Sequence, residues 1–158
     1  MAYTYRALGL LLSYPTPDTA AAMPAVMDAL SGERLVPGAL VQRLAPLADE
    51  LSSADLYDSQ ARYVDLFDRG RSTSLNLFEH VHGDSRDRGP AMISLAQSYE
   101  QAGLYLKPGE LPDYLPVALE YASTQPPAAA RAFLAEFAHL LRIVFSALLA
   151  RQSAYASV

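Results

Sequence analysis

Apolar residues recur at spacings of three and four in segment after segment of this chain, and no stretch alternates with period two for long enough to build a strand. Tyr3, Ala7, Leu10, Leu11 and Tyr14 share one face of a first helix that Pro15 and Pro17 end. Asp18 caps a second over residues 18–30, stopped near Gly32, with Pro24 kinking it or delaying its start. A third runs from about Pro37 to Leu51, weakened by Pro46. Ser52 or Ser53 caps a fourth, in which Leu56, Tyr63, Val64 and Phe67 share a face until Gly70. Ser72 or Ser74 opens a short helix through Phe78 and His82, closed by Gly83 in the left-handed conformation.

The next helix carries Met92, Leu95, Ala96 and Tyr99 on one stripe and ends near Gly103. Pro90 lacks the amide hydrogen a helix interior needs, which favours a start near Gly89 over an Asp84 cap. Asp113 caps a helix with Leu115, Ala118, Leu119 and Ala122 inward, and Pro126-Pro127 begin a last one lined by Phe133, Phe137, Leu140, Leu141, Val144 and Leu148. These spacings predict an all-α fold: a single-domain bundle of about seven or eight helices over residues 1–158, with the last few residues as a disordered tail.

Composition limits what such a bundle does. A chain of 158 residues buries one sizeable core. The net charge of -5, with Lys107 the only lysine, offers neither a basic stripe for nucleic acid nor a polybasic patch for anionic lipid. Without cysteine there are no disulfides, thiolate ligands or thiol nucleophiles, and the chain suits a reducing compartment. Residues 1–14 hold one arginine, several tyrosines and no small-residue cleavage pattern, so they read as a helix of the domain rather than a signal peptide. Residues 132–150 are mostly apolar, but Glu136, His139, Arg142 and Ser146 put a polar stripe down one side. That pattern is an amphipathic core helix, not a membrane-inserted span.

The run His80-Val81-His82-Gly83-Asp84-Ser85-Arg86-Asp87-Arg88-Gly89 gathers two of the three histidines around a pair of glycines. It fits a metal or catalytic site, a partner surface, or a capped helix junction. A helical metal pair wants a spacing of three or four, so His80 and His82 suit one ion poorly, and a helix C-terminus accounts for them better. His139 lies between Glu136 and Arg142 on the polar stripe. No serine sits in a Gly-x-Ser-x-Gly elbow and no glycine-rich phosphate loop is present. Asp84, Asp87, Glu100 and Glu110 could supply an acid and a base, yet carboxylates scattered along helices are ordinarily solvated.

Longer blocks carry more information. They include Tyr5-Arg6-Ala7-Leu8-Gly9-Leu10-Leu11-Leu12-Ser13-Tyr14-Pro15, Tyr63-Val64-Asp65-Leu66-Phe67-Asp68, the run from His82 to Met92, and Glu110-Leu111-Pro112-Asp113-Tyr114-Leu115-Pro116 with its continuation to Ala122. Together they resemble the nitrate reductase molybdenum-cofactor assembly chaperones, also called the delta subunit family, over about residues 1–150. The resemblance implies a non-catalytic, cytoplasmic, all-helical member of the wider class of redox-enzyme maturation chaperones. Such a protein binds the apo catalytic (alpha) subunit of nitrate reductase, mainly through its twin-arginine-like N-terminal segment. It supports insertion of molybdopterin guanine dinucleotide before membrane docking and is absent from the final enzyme. The resemblance implies no cofactor of its own, no metal, contact with cofactor-synthesis proteins, and a monomer or weak dimer. Related chaperones carry Glu-Pro-x-Asp-His before a late helix, and here Tyr114 stands where that histidine would be.

A receptor for an amphipathic segment rich in arginine needs a hydrophobic groove rimmed by acceptors. Tyr63, Phe67, Leu77, Phe78, Tyr99, Tyr114 and Leu115 are the expected groove residues, with His82 beside them. Asp68, Asp84, Asp87, Glu110 and Asp113 are the expected arginine partners. Ordinary core packing is the alternative for each aromatic, and an N-cap for Asp113. Gly83, Gly89, Pro112 and Pro116 read as structural, and Arg86 and Arg88 as paired internally with Asp84 and Asp87. A His/Asp metal-dependent enzyme and a structural adaptor retained in a membrane complex are the competing functions.

Overall fold

Thr16 and Thr19 show how local chemistry sets the helix boundaries. The Thr16 hydroxyl accepts the Thr19 amide at 3.1 Å while the Thr19 hydroxyl accepts the Thr16 amide at 2.8 Å, a reciprocal box that opens the helix Pro17–Glu33. The computed structural model describes residues 2–81 and 85–158 and contains eight α-helices among them. They are α1 (Tyr3–Leu11), α2 (Pro17–Glu33), α3 (Gly38–Ser53), α4 (Leu56–Tyr63), α5 (Arg88–Gln101), α6 (Leu115–Thr124), α7 (Pro127–Glu136) and α8 (Ala138–Ala150). A π turn, Val64–Asp68, prolongs α4, and 3-10 turns cover Arg71–Thr73, Leu77–His80 and Ala154–Ser157.

The all-helical expectation holds, and several boundaries move. Thr16 rather than Asp18 caps α2, and the chain leaves that helix at Arg34, whose φ is 54°, not at Gly32. Pro24 and Pro46 both lie inside helices, on exposed faces. Asp55 caps α4 by accepting from Tyr57 and Asp58 amides, while the Ser52 and Ser53 hydroxyls donate back to the Asp49 carbonyl at 3.0 and 2.6 Å. The segment after Ser72 is two 3-10 turns rather than one helix, because Asn76 is drawn into an antiparallel bridge with Tyr114. Gly83 lies outside the described residues. α5 starts at Arg88, one residue from the expected Gly89, and Pro90 occupies the first turn where an amide hydrogen has no partner. The single last helix is two, bent by 65° at Phe137, whose ring is buried in the core and lies 5.2 Å from Phe133. No single helix among the described residues is long and apolar enough to cross a membrane.

α1 packs on both α2 and α6, and α2 packs on α3. The approach to α6 is close: a Cβ at Gly9 would lie 3.2 Å from the Pro116 carbonyl oxygen. One apolar cluster joins Ala7, Leu11, Met23, Val26, Leu30 and Leu44 of the first three helices. A second joins Leu12, Tyr63, Phe67, Leu77, Tyr99 and the inward residues of α6 and α8. Leu8, Tyr155 and Val158 touch both, so the last residues form a turn that packs against the two clusters.

Glu33 reaches from the end of α2 to the open end of α1. Its carboxylate accepts the Tyr3 amide at 2.7 Å and the Thr4 amide and hydroxyl at 2.8 and 2.7 Å. Desolvation acts against the charged form, but these bonds outweigh it and hold the carboxyl below its ordinary value. Glu33→Ala is expected to cost about 1 kcal/mol at neutral pH, like loss of an N-cap acceptor. A lowered native pKa gives stability that is present above the ordinary glutamate range and lost as pH falls through the native value. Chemical denaturation at pH 7 and pH 3 should therefore show the deficit of the variant shrinking in acid.

Candidate functional site

The π turn after α4 is the local feature that builds the site. Its widened backbone, closed by the Arg69 amide on the Val64 carbonyl at 3.0 Å, brings Tyr63, Phe67 and Asp68 to one wall of a cleft. The opposite wall is the loop into α6, with Gly109, Glu110, Leu111 and Tyr114, and Tyr14, Leu75 and Asn76 complete the lining. The bridge between Asn76 and Tyr114 fixes the two loops to each other, through the Leu77 amide on the Asp113 carbonyl at 3.0 Å and the Leu115 amide on the Leu75 carbonyl at 2.9 Å. The cleft measures about 350 Å³.

Inside it the tyrosines are tied to the end of α1. The Tyr63 hydroxyl donates to the Leu12 carbonyl at 2.8 Å, and the Tyr114 hydroxyl lies 2.6 Å from it. Leu12 is the C-cap of α1, so these phenols satisfy a helix-end carbonyl without a glycine. The Tyr63 ring meets Tyr14 edge-on at 5.5 Å and Phe67 at 4.7 Å. Burial pushes both phenols above the ordinary tyrosine value, and the negative charge of Asp68 adds to this at each, with Glu110 acting also on Tyr114. The two carboxylates thus bear on one point, the Tyr114 hydroxyl, while Asp68 itself stays exposed.

Five of the expected groove and partner residues, Tyr63, Phe67, Asp68, Glu110 and Tyr114, are therefore brought together. Others are not. Leu77 and Tyr99 are 0% and 1% exposed and belong to the core, where the Tyr99 hydroxyl donates to the Pro112 carbonyl at 2.8 Å. Leu115 is buried and faces a different, apolar cleft between α1, α6 and α8, and half-buried Phe78 packs on Phe137 at 6.3 Å. Asp113 is not an N-cap: α6 begins after Tyr114 with no side-chain cap. Its carboxylate is fully buried and accepts the Phe78 amide at 3.0 Å, so it anchors the Leu77–His80 turn, and its Oδ1 has no partner among the described residues. Burial raises this carboxyl, against the pull of the Phe78 amide and Arg88.

Arg88 pairs with Glu79 at 3.7 Å instead of Asp87, because α5 turns it toward the preceding loop. Arg86 and Asp87 are exposed, Gly89 lies in the first turn of α5, and Pro116 is buried at the start of α6. His82 and Asp84 lie outside the described residues. His80 Nε2 is engaged with the Ser74 carbonyl at 2.8 Å, and among the described residues no group of three His, Asp or Glu could hold a metal ion.

Sequence reasoning missed Tyr14, Leu75, Asn76, Gly109 and Leu111 as cleft residues. Tyr14 and Leu111 stood inside the quoted blocks, but their meeting depends on the Asn76–Tyr114 bridge, which has no local signal.

Buried tyrosines make the fold sensitive to alkali. A raised native pKa gives stability that is full below the unfolded value, about 10, and is lost as pH rises above it. Tyr63 and Tyr99 alone should bring the loss to about 1.4 kcal/mol per pH unit at about pH 10 and toward about 2.7 kcal/mol per pH unit by about pH 11. Urea titrations between pH 9 and 11 should show this, and Tyr63→Phe should halve the slope due to the pair.

Comparison with known proteins agrees with the blocks. A family model described as nitrate reductase delta subunit matches residues 33–156. The chain is 42% identical over 146 residues to the nitrate reductase molybdenum cofactor assembly chaperone NarJ of Escherichia coli K12, covering 92% of this chain and 62% of that protein. It is 47% identical over 119 residues to the probable chaperone NarW of the same strain, covering 73% of this chain and 52% of NarW. With the probable NarJ of Bacillus subtilis 168 it shares 32% identity over 158 residues, covering 98% and 83%. The chain thus spans less than two thirds of the length of the Escherichia coli relatives. On the family match and these identities, the chain belongs to the nitrate reductase delta subunit family.

Proposed function

We propose that this protein is a cytoplasmic, non-catalytic chaperone that binds the apo catalytic subunit of a nitrate reductase and holds its N-terminal, twin-arginine-like segment while the molybdenum cofactor is inserted. The relatives named as molybdenum cofactor assembly chaperones support the role. The observation that carries the binding mode is the cleft in which Tyr14, Tyr63 and Tyr114 face Asp68 and Glu110.

A guanidinium is weakly hydrated, planar and always charged, so it gains from aromatic faces and carboxylates together. Apolar side chains of the same segment find Phe67, Leu75 and Leu111 in the same cleft. The cofactor is cargo of the partner and requires no ligand from this chain. Once the cofactor is in place, release lets the catalytic subunit proceed to the membrane, and the chaperone is left behind.

Isothermal calorimetry with a synthetic peptide of the catalytic subunit's N-terminal segment should give saturable one-to-one binding that weakens with salt. A pull-down from nitrate-respiring cells should capture the cofactor-free catalytic subunit and not the mature enzyme. No saturable heat, or stable residence on the mature membrane enzyme, would overturn the reading, the second in favour of an adaptor.

A further inference from the structure

The end of α8 sends the chain back across the bundle. The Gln152 amide binds the Leu149 carbonyl at 2.9 Å and the Ser153 amide binds the Leu148 carbonyl at 3.0 Å, a Schellman closure with Gln152 at φ 53° in the position that glycine ordinarily takes. Ala154–Ser157 then form a short 3-10 turn capped by Ser153. Tyr155, Ala156 and Val158 from this turn line an apolar cleft of about 330 Å³ between α1, α6 and α8. Every other side chain lining it is aliphatic or aromatic, and Phe145 at its rim is 50% exposed.

Two features separate this turn from ordinary core. No residue from 153 to 158 is fully buried, and their hydrogen bonds run only within the turn or to the end of α8. Nothing polar ties the turn to α1, α3 or α6 among the described residues. The backbone that aims it is held in a left-handed conformation a glutamine resists. Yet Tyr155 packs at 5.0 Å on Phe67 and 6.5 Å on Tyr63, directly behind the aromatic wall of the candidate site.

We propose that residues 153–158 are a displaceable internal strap: they occupy part of the apolar cleft, and their release opens it to an apolar stretch of the client chain. The client's identity rests on the chaperone reading, whereas the strap stands on this geometry. Release also withdraws Tyr155 from Phe67 and Tyr63, so the strap and the arginine cleft are coupled through one aromatic stack.

The test uses the full chain and the apolar dye 8-anilinonaphthalene-1-sulfonate. Tyr155→Ala with Val158→Ala should bind the dye at least tenfold more tightly than the parent while keeping a cooperative unfolding transition. Gln152→Gly relieves the left-handed backbone and should hold the strap closed, weakening dye binding about fivefold. The glycine variant keeps the test decisive if the double variant fails to fold. Dye affinity unchanged in Gln152→Gly, or unchanged in a folded double variant, overturns the strap. Client peptide that binds neither parent nor double variant, while dye binding responds as expected, overturns the chaperone reading and leaves the strap standing.

Discussion

Replacing Tyr63 with alanine is expected to lower the free energy of unfolding by about 3–5 kcal/mol, the range for truncating a buried large aromatic. The ring is 3% exposed and contacts Tyr14, Phe67 and Tyr155, so its removal leaves a void at the junction of α1, α4 and the C-terminal turn. Loss of the hydroxyl adds to this, since among the described residues the Leu12 carbonyl then keeps only the Tyr114 hydroxyl at 3.4 Å. For a chain of this length the midpoint should fall by roughly 6–20 °C. Tyr63→Phe keeps the volume and should cost about 1–2 kcal/mol, separating hydrogen bond from packing. Thermal unfolding followed by circular dichroism reads both. If the alanine variant loses no more than the phenylalanine one, the ring is not the keystone assigned to it.

The helices were legible because their evidence is local. Spacings of three and four, and proline or glycine between them, suffice to place α1, α5 and α6 within a few residues. What the periodicity hid was every place where a long-range contact overrides it. The pattern from Phe133 to Leu148 continues without a break, yet the chain bends at Phe137 so that this ring can enter the core. The residues around Asn76 follow a backbone bridge to Tyr114, a partner 38 residues away that no helical pattern registers. The same applies to the polar residues. Asp113 has the type and position of an N-cap, and only the folded chain shows its carboxylate spent on the Phe78 amide. The site was half legible: the block around Tyr63 and the block around Glu110 each stood out, but their facing one another across a cleft is a property of the π turn and the bridge.

Reversing the charge of the cleft should remove most of the client affinity while leaving the fold intact. Asp68 is exposed, with no side-chain hydrogen bond or ion pair among the described residues, so Asp68→Lys costs no folded-state contact and should alter stability by less than about 0.5 kcal/mol. Glu110 Oε2 accepts the Lys107 amide at 3.1 Å, so glutamine, which keeps an acceptor there, is the apt replacement. Two charge-assisted contacts to an arginine, one reversed and one neutralised, together should weaken peptide binding about 100-fold, or about 2.7 kcal/mol. Asp87→Lys changes net charge as much as Asp68→Lys does, but Asp87 does not line the cleft and its replacement should change affinity less than about twofold. The comparison isolates position from overall charge, because long-range attraction of a basic peptide to an acidic protein would respond to both variants alike. Calorimetry at two salt concentrations reads the result. Asp68→Lys and Asp87→Lys weakening binding equally would place the arginine elsewhere, and the tyrosines facing it would then be packing groups alone.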